Sequence, residues 1–203
     1  MAKTARKVVV MVMVGLAGIT PAAAGAEPES SEMRILVVNR AGVPSPDVLV
    51  RAQAETARIY AAVGVKLVWT DPPSSFFRLT MMIARSSNLS LTKGAADAMG
   101  AAPAADEGTG RLAYAFYDRI EAAAQQHRTD AAKILGHVMA HELGHILLVR
   151  ASHTSEGLMN GRWGEFEMGL VAANLLMFTK AQATLIRNSV DNMNATHGTI
   201  PGR

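Results

Sequence analysis

The chain contains no cysteine. Disulfides are excluded, so an exported form must rely on its core or on a metal. Thiolate zinc ligands are excluded too, and any zinc must be held by histidine and carboxylate. A lipid-modified N-terminal cysteine and a thiolate latency switch are ruled out on the same ground. The chain also lacks an apolar run long enough to span a bilayer. Val8 to Ile19 gives about twelve such residues where roughly 20 are needed. No repeat of fixed period is present.

An excess of charge is missing as well, once the N-terminus is set aside. Lys3, Arg6 and Lys7 precede the apolar run, and Ala24-Gly25-Ala26 follows it as an A-x-A pattern. This predicts a secretory signal peptide over residues 1–26, cleaved near Ala26, and a secreted or periplasmic protein without a stable membrane anchor. Those three residues account for the whole formal charge of +3; the remaining 17 basic residues equal the 17 acidic ones. A formally neutral mature chain gives no case for nucleic-acid binding.

Residues 27–203 are expected to form one α+β domain, with an N-terminal lobe over 27–150 and a smaller, mainly helical lobe over 151–203. Glu27 to Glu32 is polar and reads as a flexible start. Met33 to Asn39 reads as a strand. Ser45-Pro46-Asp47 supplies an N-cap, a first-turn proline and an acid for a helix to about Ala62, closed by Gly64. Val65 to Thr70, Phe76 to Ala84 and Leu112 to Tyr117 are further strands, giving a twisted mixed sheet of about four. Ser86 to Gly110 reads as a long loop. Asp118 and Glu121 form a capping pattern for a short helix ending near His127. Thr129-Asp130 starts a helix to about Val149. After a turn-rich stretch and another helix, Thr179 with Gln182 caps a last helix ending near Val190.

Four of the six histidines lie between positions 137 and 153. His141-Glu142-Leu143-Gly144-His145 is an HExxH pattern inside a predicted helix. Residues four apart share a helix face, so His141 and His145 can converge on one ion. Glu142 starts beside the first histidine and can reach water activated by zinc, as general base in attack on a carbonyl. A catalytic zinc takes three protein ligands and keeps one position open. His153 is the natural third, with Arg150 to Ser152 providing the reversal. His137 lies about 12 Å of helix rise from His145, too far for the same ion. It reads as a cleft wall, a supporting group or a surface residue.

With Gly157-Leu158-Met159-Asn160 downstream, the sequence resembles the metzincin clan of zinc metallopeptidases. That clan has a longer motif, HExxHxxGxxH, followed by a methionine-containing turn. The resemblance covers His141, Glu142, His145, His153 and Met159. It implies one catalytic Zn2+, a peptide or protein substrate, and Met159 as an apolar floor of a Met-turn beneath the metal. Two features depart from the clan: Leu148 stands where a helix-ending glycine is expected, and His153 follows His145 by eight residues where the clan has six. The resemblance also implies an edge strand on the cleft rim that pairs with extended substrate, for which Leu112 to Phe116, with Tyr114, is the candidate. Trp163 could line the pocket or pack below it.

Three other readings compete. A gluzincin-type peptidase would use a downstream glutamate, Glu165 or else Glu156 or Glu167, as third ligand. A non-catalytic zinc-binding module would keep the ligands without needing Glu142. A metal-free helical interaction protein would need neither. Gly136, Ala140 and Gly144 form a small-residue stripe at four-residue spacing. It predicts close approach of another backbone to this helix, either the sheet or the lower lobe, despite about 1 kcal/mol of lost helix propensity per glycine.

Overall fold

The computed structural model describes residues 31–40, 42–71, 78–86, 98–103, 111–148 and 153–198. The signal segment expected over 1–26, the strand start at Phe76 and the helix end at Val149 lie outside them. No helix among the described residues is long and apolar enough to cross a membrane.

Five strands form one twisted mixed sheet: β1 (Ser31–Asn39), β2 (Val65–Thr70), β3 (Leu79–Ala84), β4 (Gly100–Ala101) and β5 (Leu112–Phe116). Their order is β2-β1-β3-β5-β4, with every pairing parallel except β4 against β5. Met33, Ile35 and Val37 of β1 alternate into the core, as do Leu79, Met81 and Ile83 of β3. The helix α1 (Pro46–Ala61) links β1 to the parallel β2, the crossover that parallel pairing demands. Ser45 caps it, its hydroxyl accepting from Val48 N, and Gly64, with φ of 81°, turns the chain into β2.

Four elements follow in the second half: α2 (Tyr117–His127), α3 (Ala131–Leu147), α4 (Glu165–Ala172) and α5 (Lys180–Gly198). Apolar residues from β1 through α5 share one buried cluster, with Met139, Leu143, Leu158, Met159 and Ile186 all fully enclosed.

Several expectations need correction. The sheet has a fifth strand, β4, inside the segment expected to be loop. Gly-Ala has no strand propensity of its own; pairing with Tyr114 and Ala115 makes it a strand. Leu112–Phe116 is therefore not the sheet edge, because β4 covers it. Tyr117 opens α2 and leaves the strand, and no side chain caps that helix. Asp118 instead accepts from Ser86 N at 2.8 Å and Ser86 Oγ at 2.6 Å, tying α2 to the end of β3. Ser31 and Glu32 belong to β1 and are not a loose start. The last helix runs to Gly198, past Val190. Its polar end is held by tertiary bonds: Ser31 donates to Asp191, and Asn194 Nδ2 donates to the Glu32 carbonyl at 3.0 Å. Its start is as expected, with Gln182 Oε1 accepting from Thr179 N at 2.9 Å and Thr179 Oγ1 from Gln182 N at 3.3 Å.

Candidate metal centre

The centre is built on α3. Asp130 caps this helix, accepting from Ala132 N at 2.9 Å. Thirteen of its seventeen residues are buried, so its position is dictated by packing on both sides. On one side α1 crosses close at the small-residue stripe. A Cβ on Gly136 would stand 2.8 Å from the Ala52 carbonyl and 2.7 Å from Glu55 Cβ. Thr56 Oγ1 donates to Gly136 O at 2.9 Å, and Tyr60 OH donates to Ala140 O at 3.1 Å. At the other end a Cβ on Gly144 would stand 2.7 Å from Met159 Sδ and 3.1 Å from the Phe178 ring. The stripe is thus a docking track for α1 at Gly136 and for the segment carrying Met159 at Gly144.

His141, His145 and His153 come together at the C-terminal half of α3, one nitrogen from each lying within 4.8 Å of the others. His141 Nε2 and His145 Nε2 are 3.0 Å apart. Two nitrogens sharing a tetrahedral zinc at about 2.05 Å stand about 3.3 Å apart, so the pair matches a common ion. The His153 ring lies 5.3 Å from that of His141 and 4.9 Å from that of His145, centroid to centroid. The set is graded from a buried His141 to an exposed His153, which leaves one side of the cluster open to solvent. Three imidazoles with an accessible side fit a metal ion of the zinc type.

His141 is aimed by the backbone. Its Nδ1 sits 2.7 Å from the Leu158 carbonyl, which fixes the tautomer with the proton on Nδ1 and the Nε2 lone pair towards the other histidines. Burial, reinforced by the neighbouring His145 and His153, pushes His141 down to about 4. It therefore stays neutral, the form that binds metal. The sequence identified Met159 but not the Leu158 carbonyl, because backbone acceptors carry no residue signature. Met159 is fully buried against Gly144. It closes a turn in which Asn160 N donates to Gly157 O and Thr154 N to Met159 O, at 3.0 and 2.9 Å.

Glu142 is buried, and burial raises its carboxyl to about 8. Gly100 of β4 lies directly against it: a Cβ there would be 2.5 Å from Glu142 Oε1. The edge strand thus runs over the carboxylate, a placement hidden within a segment expected to be loop.

The remaining sequence candidates fall outside the cluster. His137 is fully buried, so the surface alternative is excluded. Its Nδ1 is 2.8 Å from the Lys133 carbonyl and its Nε2 3.6 Å from Glu55 Oε1. Trp163 stands edge-on to both His137 and His141, at 6.5 and 5.7 Å between centroids, and so walls the site between them. Glu165 is not a ligand. It starts α4 with its carboxylate exposed and 3.0 Å from His127 Nδ1, outside the three-histidine cluster. Glu167 is occupied as well, accepting from Asn160 Nδ2 and Gly164 N, both at 2.9 Å. Glu156 is exposed and is not in the cluster. The gluzincin arrangement is therefore absent among the described residues.

No protein-family model matches the chain, and no curated protein sequence matches it. Solved structures do. The crystal structure of archaemetzincin from Methanopyrus kandleri matches with a TM-score of 0.51, covering 81% of this chain and 98% of that one. The fold is metzincin-like. Identity to archaemetzincin is 12%, so the likeness speaks for the fold alone. The three-histidine cluster is an independent observation, made on this chain's own side chains.

Proposed function

We propose that the protein is an exported zinc-dependent metalloendopeptidase, with His141, His145 and His153 as metal ligands and Glu142 as general base. The carrying observation is the convergence of three histidine nitrogens on the helix that also holds a buried glutamate next to the first ligand. A purely structural site has no use for that carboxylate and usually closes its fourth position.

Zinc bound there would supply a Lewis acid that polarises a substrate carbonyl and makes water acidic near neutral pH. The chain's own residues do the rest. Glu142 takes the proton from the attacking water and returns it to the leaving amine nitrogen. Burial holds its pKa near 8 without a cation, and a divalent cation alongside favours the carboxylate, poising it as a base at neutral pH. The Leu158 carbonyl keeps His141 in its ligating tautomer. Substrate, a peptide or protein, would lie along the exposed side of the cluster below β4. In metzincins an edge strand pairs with extended substrate, and here that edge is β4, not β5.

The N-terminal 26 residues support export, to the periplasm or beyond, with cleavage near Ala26. Mass analysis of the exported chain should find a new N-terminus close to Glu27; retention of Met1 in all fractions would overturn this part.

The test of activity is zinc stoichiometry on protein purified without an affinity tag, run beside a peptide-library cleavage assay and the Glu142→Gln variant. The expected result is one zinc per chain in both proteins and cleavage only by the unsubstituted one. Folded, zinc-free protein would end the proposal. Zinc without any cleavage would favour a binding module of the same fold.

A further inference from the structure

Gly161 lies two residues after Met159 and carries no side chain to recommend it. Its φ is outside the left-handed region, and the residue is exposed. On backbone grounds alanine would be tolerated, and reduced unfolded-state entropy would even favour it. Contact decides otherwise. A Cβ at Gly161 would stand 2.5 Å from both Cγ and Nδ1 of His153, and 2.8 Å from its Cβ. The near side of the imidazole occupies the space that a Cβ of any other residue type would fill.

The backbone next to both residues is held in place, and the exposed ring is what can move. Thr154, next to His153, donates from its backbone to Met159 O at 2.9 Å and forms a bridge with Asn160. Gln182 Nε2 of α5 holds Thr154 Oγ1 at 3.3 Å. On the other side Asn160 is fixed by Glu167, and Asn160 Oδ1 accepts from Arg162 N at 3.0 Å. The two strands of this small loop are tied on both flanks, so an added methyl group displaces the ring and not the backbone.

We infer that Gly161 is the positioning residue for the third metal ligand: its missing side chain is the seat that turns His153 towards His141 and His145. This rests on the reading of His153 as a ligand proposed above. On this account the third ligand is set by the loop that follows Met159.

The test is a double-mutant cycle on zinc affinity, measured by competition with a chromophoric chelator, using Gly161→Ala, His153→Ala and the double variant. Gly161→Ala should weaken binding about tenfold to a hundredfold, the range for groups that orient a ligand. In the His153→Ala background it should change nothing, because the ring it strikes is gone. Cobalt substitution adds a spectroscopic readout, with the d–d bands of Gly161→Ala shifted towards those of His153→Ala. Wild-type affinity in Gly161→Ala would overturn the inference, as would an equal loss in both backgrounds. Should Gly161→Ala fail to fold while the double variant folds, the clash with the ring is confirmed; failure of both would show a backbone requirement and overturn it. If the unsubstituted protein binds no zinc, the functional proposal has failed, an outcome distinct from all of these.

Discussion

Glu142 shows how one residue's burial becomes a measurable property. Its carboxyl is raised from 4.5 to about 8 by desolvation. In the metal-free protein this contributes stability that is fully present below about pH 4.5 and is lost as pH rises through about 8. Glu142→Gln removes that dependence. Thermal melts of the two metal-free proteins should therefore converge below about pH 4.5 and separate as pH rises to 8, with the glutamine variant the more stable. His141 has the opposite sign. Held down to about 4 from 6.5, chiefly by burial, it contributes stability that is lost as pH falls through that window. Both metal-free proteins should lose stability together there. In the zinc-loaded protein, Glu142→Gln should lower kcat by about 10²–10⁴ with zinc retained, the size of a lost general base. A loss of zinc in that variant would instead make Glu142 a ligand.

Among the elements, α3 has the most at stake, since the stripe that lets α1 and the Met159 segment approach it also weakens it as a helix. Gly136→Ala improves helix propensity by about 1 kcal/mol. It also places a methyl group 2.8 Å from the Ala52 carbonyl, in contact with backbone that cannot move aside cheaply. Overpacking of this kind costs about 1–3 kcal/mol, so the net expectation is a lower unfolding free energy by denaturant titration. A more stable variant would show that α1 shifts freely on α3. At the start of α5, Thr179→Ala removes one half of a reciprocal cap and should cost about 1 kcal/mol without changing zinc content.

At the scale of the whole molecule the three-histidine cluster joins otherwise distant segments. His141 and His145 come from α3 and His153 from the loop before α4, while Leu158 and Met159 buttress them from below. An ion bound only in the native state stabilises it by about 2.7 kcal/mol at one hundred times its Kd. The melting temperature should then rise with added zinc, fall with chelator, and become almost insensitive to zinc in His141→Ala. A chelator-insensitive melting temperature in the unsubstituted protein would contradict a three-ligand site. Without disulfides, the single core that spans β1 to α5 holds the described elements together, and an ion at the three histidines would add to it.

The sequence by itself determined what local periodicity and spacing can encode. Ser45, Asp130 and Thr179 marked helix starts because a cap is a contact within four residues. HExxH placed two imidazoles and a carboxylate on α3 because one helical turn brings i and i+4 together. The resemblance to metzincins anticipated the fold, and the need for a third donor singled out His153, which folding brings into the cluster. Only the tertiary structure decided the matters that depend on distant backbone. It made Gly100 and Ala101 an edge strand through pairing with β5, against their own propensity. It turned Asp118 from a cap into a bridge to Ser86, and set Glu165 beside His127, outside the three-histidine cluster. It set the Leu158 carbonyl on His141 and left the space at Gly161 for His153. Carbonyls and absent side chains leave no pattern along a chain; they acquire meaning only when folding brings something against them.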